Sequence, residues 1–150
     1  ITLDLLQINI TQEEILAFNN QLDNLAIAIK DENKENTLSQ MSTLYDTLTT
    51  ITQKIQGEET YQILVEVKQN IFKAYSKLDT GNWDEIANDT KNAINSYSKL
   101  LTDTNINAQN QYIINKGYVL INELQNAVNL QDVSVFLIKY KYLLEELNSL

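Results

Sequence analysis

The chain has 150 residues, of which 43% are hydrophobic and 21% charged, a composition typical of a folded protein and not of a disordered one. At this length one domain is the simplest arrangement, so residues 1–150 are predicted to form a single helical domain. Proline is absent and glycine occurs only three times. Because β-proteins use these residues for their many tight turns, the composition favours an all-α fold.

The net charge is −9, from 20 acidic residues and 11 basic residues, and every basic residue is lysine. Nucleic acids and anionic membrane surfaces are bound by clusters of Lys and Arg. The densest basic cluster is the pair Lys139 and Lys141. Nucleic acid is therefore not expected as a partner.

The sequence contains neither cysteine nor histidine, which removes disulfides, thiolate nucleophiles and the commonest proton shuttle and metal ligand. No catalytic residue, cofactor or metal site is predicted, and the chain is not expected to be an enzyme. No apolar run approaches the roughly 20 residues that a membrane span needs. The chain begins with Ile1 and not with Met, which suggests a trimmed or processed chain and leaves open whether a signal peptide or a lipid anchor preceded it.

The first helix is predicted to follow an irregular leader at residues 1–10. Thr11 and Glu14 have the spacing of a capping box, in which each side chain bonds to a free backbone N–H of the other residue. Apolar residues then recur at steps of three and four, which predicts one buried helical face: Ile15, Phe18, Leu22, Leu25 and Ile29.

A second helix is predicted after a polar break at residues 31–36. The step from Ile29 to Leu38 turns a helix by about 900°, so one straight helix would point its two halves in opposite directions. The predicted buried face of this helix consists of Leu38, Met41, Tyr45, Leu48, Ile51 and Ile55. Gly57 is placed to end it, since glycine accepts the left-handed conformation at a helix C-terminus.

The third and fourth helices are predicted to form an antiparallel hairpin, because Gly81 ends one and Asn82 caps the next within a short connection. The third has its apolar positions at Tyr61, Leu64, Val67, Ile71, Tyr75 and Leu78. The fourth has Trp83, Ile86, Ala87, Thr90, Ala93, Ile94, Tyr97, Leu100 and Leu101.

Two further helices complete the chain. The fifth presents Ile106, Asn110, Ile113, Gly117, Leu120, Leu124 and Ala127, flanked by Ile114, Ile121 and Val128. The sixth presents Val133, Phe136, Leu137, Tyr140, Leu143, Leu144, Leu147 and Leu150. With breaks near residues 33, 57, 81, 104 and 131, the prediction is an antiparallel up-and-down bundle of about six helices. Three stacked, solenoid-like hairpins are the alternative, although repeat similarity is poor.

Acidic residues cluster at two places, Asp84/Glu85/Asp89 and Glu145/Glu146. A calcium loop beginning at Asp79 is not supported, because Gly81 and Trp83 occupy its third and fifth positions. Charge at a helix N-terminus explains the first cluster and a solvated helix face explains the second.

Eight tyrosines are present, and the five at 45, 61, 75, 97 and 140 lie on the predicted buried faces. Tyr112, Tyr118 and Tyr142 do not, so these three are the predicted contact surface. Trp83, Asn110 and Gly117 are the candidates for a cavity between helices. The structural alternatives are that Trp83 closes the end of the core, that Asn110 sets helix register, and that Gly117 admits a neighbouring helix.

Three short segments resemble proteins of a known kind: residues 81–86 (Gly-Asn-Trp-Asp-Glu-Ile), 118–124 (Tyr-Val-Leu-Ile-Asn-Glu-Leu) and 136–140 (Phe-Leu-Ile-Lys-Tyr). They are similar to segments of small helical secreted or lipid-anchored proteins of low-GC Gram-positive bacteria, a group without an assigned activity. The resemblance covers roughly the last 90 residues. It implies an extracytoplasmic helical domain, tethered through an upstream segment, and it supplies no functional residue.

Two functions remain open from the sequence. The first is a non-enzymatic helical domain, secreted or at the cell surface, that acts through contacts with an unknown protein partner. The second is a carrier of a small ligand or cation in a cavity between helices.

Overall fold

The computed structural model describes residues 10–54, 59–102 and 106–150. Within these ranges the chain forms six α-helices, one 3-10 turn and no strand, which confirms the predicted all-α bundle of about six helices. The elements are α1 Gln12–Lys30, α2 Lys34–Lys54, α3 Glu59–Ser76, the 3-10 turn Leu78–Thr80, α4 Trp83–Leu101, α5 Ala108–Asn129 and α6 Val133–Leu147.

The helix breaks near residues 33, 81 and 131 are confirmed, whereas those near 57 and 104 fall outside the described residues, as does the leader except for the buried Ile10. Contacts divide the chain into two compact units, residues 1–58 and 59–150. Each is described below by itself, and the single-domain prediction stays a prediction.

In the first unit, α1 starts with the predicted capping box. The backbone N–H of Glu14 donates to Oγ1 of Thr11 (3.2 Å), and the backbone N–H of Thr11 donates to Oε2 of Glu14 (2.9 Å). The other carboxylate oxygen of Glu14 accepts a hydrogen bond from Lys54, near the end of α2. The start of α1 is thereby held to the end of α2, so the two helices run antiparallel.

The predicted buried face of α1 is partly wrong. Ile15 is buried and Phe18 and Leu25 are half-buried, but Leu22 and Ile29 are exposed to 40% and 57%. Ala28 is fully buried instead. In the second half of α1 the buried residue is therefore Ala28, and not the predicted Leu22 or Ile29.

On α2 the predicted face is also only partly buried. Leu38, Tyr45 and Ile51 are half-buried, whereas Met41 and Leu48 are each 39% exposed. The buried residue of this helix is Thr49, whose hydroxyl donates to the carbonyl of Tyr45 (2.9 Å).

The second unit is a closed up-and-down arrangement of four helices, α3 to α6. Each helix packs on the next, and α3 also contacts α6. Ion pairs join the later part of one helix, or the residue just after it, to the earlier part of its neighbour, as in an antiparallel arrangement: Lys77 with Asp89 (2.8 Å), Lys99 with Glu66 (3.6 Å), and Glu146 with Lys116. The contact between the first and last helices closes the unit, which an open stack of hairpins would not do.

The core of this unit comes from all four helices. Its buried hydrophobic residues are Ile63, Leu64, Val67, Ile71, Ala74, Leu78, Ile86, Ala93, Tyr97, Leu100, Ile114, Ile121, Leu124, Ala127, Val128, Phe136, Leu143 and Leu147. Most of the predicted faces are therefore confirmed. Tyr61, Val133 and Leu137 are corrections, since they are exposed to 58%, 41% and 42%.

The hairpin between α3 and α4 has the predicted geometry. Gly81 follows the 3-10 turn with φ of +66°, a left-handed conformation that favours glycine because a side chain there is strained. Asn82 then caps α4, its Oδ1 accepting the backbone N–H of Glu85 (3.4 Å). Trp83 is half-buried against the core, at the end that this hairpin closes.

The capping-box carboxylate supplies a test of the first unit. The hydrogen bond from Lys54, followed by those from Thr11, lowers the pKa of Glu14 to about 2 from an ordinary value of 4.5. The stabilisation is therefore complete above pH 4.5 and is lost as the pH falls from 4.5 towards 2. We expect Lys54→Met to move the pKa of Glu14 towards 4.5, measured by the pH titration of its side-chain carboxyl carbon in NMR spectra.

Lys30→Met is the matched control, because it removes an exposed lysine from the same unit without touching Glu14. The same titration should be unchanged in that variant. A titration midpoint near 4.5 for Glu14 in the unaltered chain would contradict the geometry.

Candidate functional site

A lysine pairs with two of the three carboxylates in the acidic cluster at the start of α4. Asp84 and Glu85 are exposed, but Asp89 is 93% buried and accepts a hydrogen bond from Nζ of Lys77 (2.8 Å). Glu85 lies 3.0 Å from the same nitrogen. Partial burial opposes the charge of Lys77, but the bonds to Asp89 and Glu85 more than offset it and raise its pKa.

The acidic pair near the C-terminus is also matched with lysines. Glu146 pairs with Lys116 of α5, and Glu145 lies 4.0 Å from Lys141, one turn before it on α6. Among the residues that the structure describes, no group of three or more acidic side chains is placed to hold a metal ion.

Gly117 lies under the side chain of Tyr97. A Cβ atom on Gly117 would be 2.1 Å from the hydroxyl oxygen of Tyr97 and 3.0 Å from its Cζ. Tyr97 is fully buried, and its hydroxyl donates to the backbone carbonyl of Ile114 (2.9 Å). Burial raises the pKa of Tyr97, and the nearby charge of Glu146 adds to this. The space that glycine leaves is therefore filled by a neighbouring helix.

Trp83 and Asn110 are far from each other along the bundle. The bond between Tyr97 and Ile114 fixes the level at which α4 and α5 meet. At 1.5 Å per residue, Trp83 lies about 21 Å from this level along α4. Asn110 lies about 6 Å from it along α5, in the opposite direction. Asn110 belongs to the first turn of α5, where its N–H donates to Oδ1 of Asn107 (2.9 Å). The structure thus does not gather Trp83, Asn110 and Gly117 around one cavity.

The three tyrosines predicted as a contact surface have different environments. Tyr112 is 72% exposed and Tyr142 is 51% exposed. Tyr118 is half-buried, packs on the core, and has its ring centre 6.4 Å from that of Tyr97. Tyr112 and Tyr142 are therefore available for contact, whereas Tyr118 mainly serves packing.

The last helix carries a second apolar face. Of the 15 residues of α6, ten are hydrophobic, and Phe136, Leu143 and Leu147 point into the core. Three other large residues fall within about 60° of each other at 100° per residue, on the side away from the core. They are Val135, Ile138 and Tyr142, exposed to 37%, 53% and 51%, and they are called the outer stripe.

The sequence analysis did not single out Val135 and Ile138 as candidate contact residues. Their signal was the spacing of three and four residues that links Val135, Ile138 and Tyr142, a second helical stripe beside the one that enters the core. A surface helix ordinarily has one apolar face, directed into the core, and polar residues elsewhere. The outer stripe is a second apolar face of α6 that stays exposed, beside the polar Ser134, Lys141 and Glu145.

Ion pairs border the outer stripe. Lys139 pairs with Glu123 and Lys116 pairs with Glu146, and both pairs join α5 to α6. Val119 of α5, 56% exposed, lies midway between Lys116 and Glu123 along the helix. Tyr142 lies midway between Lys139 and Glu146, so the antiparallel packing brings Val119 and Tyr142 to the same level.

Tyr112 extends this surface along α5. It precedes Val119 by seven residues, two helical turns, and so lies on the same side of α5 about 10 Å away. The resulting surface is apolar, with its lysines matched by carboxylates. Such a surface is suited to burial against another protein.

Comparison of the chain with protein-family models, with curated proteins and with solved structures found no match. The resemblance to secreted helical proteins therefore stays a prediction. No helix in the described ranges has the length and apolar character needed to cross a membrane.

The packing of Tyr97 on Gly117 predicts an unusual response to Gly117→Ala. Glycine to alanine inside a helix ordinarily stabilises by about 1 kcal/mol, but here the new methyl group would collide with the Tyr97 hydroxyl. We expect a net loss of about 1–3 kcal/mol in the free energy of unfolding. In a Tyr97→Phe background the nearest atom is 3.0 Å away, so the same substitution should cost less.

Denaturant unfolding of the four chains of this cycle measures the coupling. Asn126→Ala, at an exposed position of the same helix, is the control and should stay within about 0.5 kcal/mol of the unaltered chain. Equal or greater stability of Gly117→Ala would show that Tyr97 does not fill this space.

Proposed function

We propose that this chain is a non-enzymatic helical domain that acts by binding a protein, and that the outer stripe of α6 receives a helix of that partner. The observation that supports the proposal is the exposed stripe of Val135, Ile138 and Tyr142, a second apolar face on a helix whose first apolar face enters the core. Residues at spacings of three and four form the apolar surface against which a partner helix packs.

Burial of the stripe would contribute favourably to such a contact. Full burial of a large apolar side chain is worth about 1.5–3 kcal/mol, and the three stripe residues still expose between 37% and 53% of their surface. Covering them would add about 1 kcal/mol each. The charged neighbours Lys116 and Lys139 are already matched with carboxylates, so covering the stripe leaves them paired.

The alternative of a small-ligand or cation carrier has less support. Its cavity required an open space at Gly117, where the ring of Tyr97 lies. The extracytoplasmic location and the upstream lipid anchor remain predictions from the sequence resemblance.

The proposal is tested with a photoreactive amino acid at position 138 or 142, in extract of the cells that make the protein. We expect both variants to give the same discrete cross-linked product. The same probe at Asn92, exposed on α4, is the control for random collision and should not give that product. Adding Ile138→Lys to the position-142 variant should abolish it.

Ile138→Lys changes an exposed side chain and should shift the free energy of unfolding by no more than about 0.5 kcal/mol, so a lost cross-link would not reflect unfolding. Equal labelling from Asn92, or a product that survives Ile138→Lys, would count against the outer stripe as a binding surface. A product of twice the chain mass would identify a second copy as the partner.

A further inference from the structure

We infer that the α1–α2 hairpin binds a helical hairpin of a partner protein, on the face that carries Leu22, Ile29 and Leu48. This surface lies in the first unit and goes beyond the proposed function, which concerns α6. The inference rests on a close equivalence between the α1–α2 and α5–α6 hairpins. For α5–α6 the structure shows which side is covered, and it shows that the covering element is a pair of helices.

The two hairpins have the same connection between their helices. Glu32 lies just after α1 and Gln131 just after α5, and both have a left-handed backbone, with φ of +52° and +54°. The next residue, Asn33 or Asp132, caps the following helix, because its Oδ1 accepts the backbone N–H of the residue three positions later, at 2.9 Å and 3.0 Å. The shared backbone conformation and caps direct the two helix pairs in the same way.

The connection also fixes which positions of the two hairpins correspond. The backbone N–H of Asn33 donates to the carbonyl of Ala28 (3.3 Å), and that of Asp132 donates to the carbonyl of Ala127 (2.9 Å). Both alanines are buried. Because the helices are regular on either side of the connection, every residue of α1–α2 has a counterpart at the same place in α5–α6. The counterparts of the proposed face are Ile121 for Leu22, Val128 for Ile29 and Leu147 for Leu48.

The counterparts of the proposed face are covered by α3 and α4. They are exposed to 0%, 3% and 1%, and they belong to the core in which α4 packs on α5 and α3 packs on α6. Leu22, Ile29 and Leu48 are exposed to 40%, 57% and 39%. The side of the hairpin that receives two helices in the second unit therefore stays open in the first.

The equivalence distinguishes between two isoleucines that exposure alone does not separate. Ile27 and Ile29, both on α1, are exposed to 56% and 57%. The counterpart of Ile27 is Asn126, which is exposed, whereas the counterpart of Ile29 is Val128, which is buried. A covering hairpin should therefore contact Ile29 and leave Ile27 outside the contact.

The partner hairpin needs a small residue at one level. In the second unit Tyr97 of α4 packs over Gly117. The counterpart of Gly117 in α1 is Phe18, which is half-buried. A tyrosine brought to this level by a partner would collide with the ring of Phe18. The partner that fits has apolar residues at the spacing seen in α3 and α4, and alanine or glycine where α4 has Tyr97.

A synthetic peptide with residues 59–102 of this chain and the change Tyr97→Ala is a suitable probe. It is added to the unaltered chain, and binding is followed by the methyl signals in NMR spectra. We expect saturable shifts at Leu22, Ile29 and Leu48. Ile29→Lys should weaken binding about tenfold or more, because it places a charge in the covered face. Ile27→Lys is the matched control and should change the affinity less than about twofold.

The unaltered peptide, which retains Tyr97, tests the fit at Phe18. It should bind about tenfold more weakly than the Tyr97→Ala peptide, since its ring meets Phe18. Phe18→Ala in the chain should recover most of that loss. The pKa of Glu14, held at about 2 by the bonds that join α1 to α2, reports in the same samples whether the first unit of each variant is folded.

Three results would overturn the inference. They are equal weakening by Ile27→Lys and Ile29→Lys, shifts confined to residues 59–150, and absence of binding up to about 1 mM peptide. Shifts at Ile29 that depend on the concentration of the chain alone would assign this face to a second copy and would also overturn a separate partner. The outer stripe of α6 takes no part in these measurements, so the proposed function is decided by its own cross-links.

Discussion

The hydroxyl of Tyr97 lies over Gly117 and donates a hydrogen bond to the carbonyl of Ile114. The hydrogen bond and the close packing depend on each other. The buried hydroxyl of Tyr97 needs an acceptor, and it can reach the carbonyl of Ile114 only because Gly117 has no Cβ in its way. The contact sets how far α4 and α5 slide along each other. The separation of Trp83 from Asn110 along these two helices follows from that alignment.

Ion pairs continue this alignment around the unit. Lys77 with Asp89 and Lys99 with Glu66 join α3 to α4 near both ends. On the other side of the unit the stacked rings of Tyr75 and Tyr140, with centres 4.8 Å apart, lie between α3 and α6. An exposed pair such as Lys99 with Glu66 adds little stability, but the positions of all these contacts agree with one antiparallel order. The outer stripe of α6 therefore belongs to a unit in which contacts at several points along the helices fix their alignment.

The last helix has more apolar surface than the core of its unit can cover. Its inner residues, such as Phe136 and Leu143, are fully buried, while the outer stripe around Ile138 is bordered by charges matched within the chain. For a helix that serves only its own fold, polar residues at these positions would be the ordinary choice. The exposed apolar residues of the outer stripe are the observation that supports the proposed binding function.

The all-α class and six helices followed from the sequence, because capping residues such as Thr11 and Asn82, the left-handed turn at Gly81, and apolar spacing act over a few residues. The sequence determined less well which side of each helix is buried. Where apolar residues are adjacent in sequence, as around Leu137, the helix can turn about its axis in more than one way and still bury an apolar face. Only tertiary structure decided that Tyr97 fills the space at Gly117 and that Val135, Ile138 and Tyr142 remain exposed. These features depend on which helix lies beside which residue, and local spacing carries no information about that.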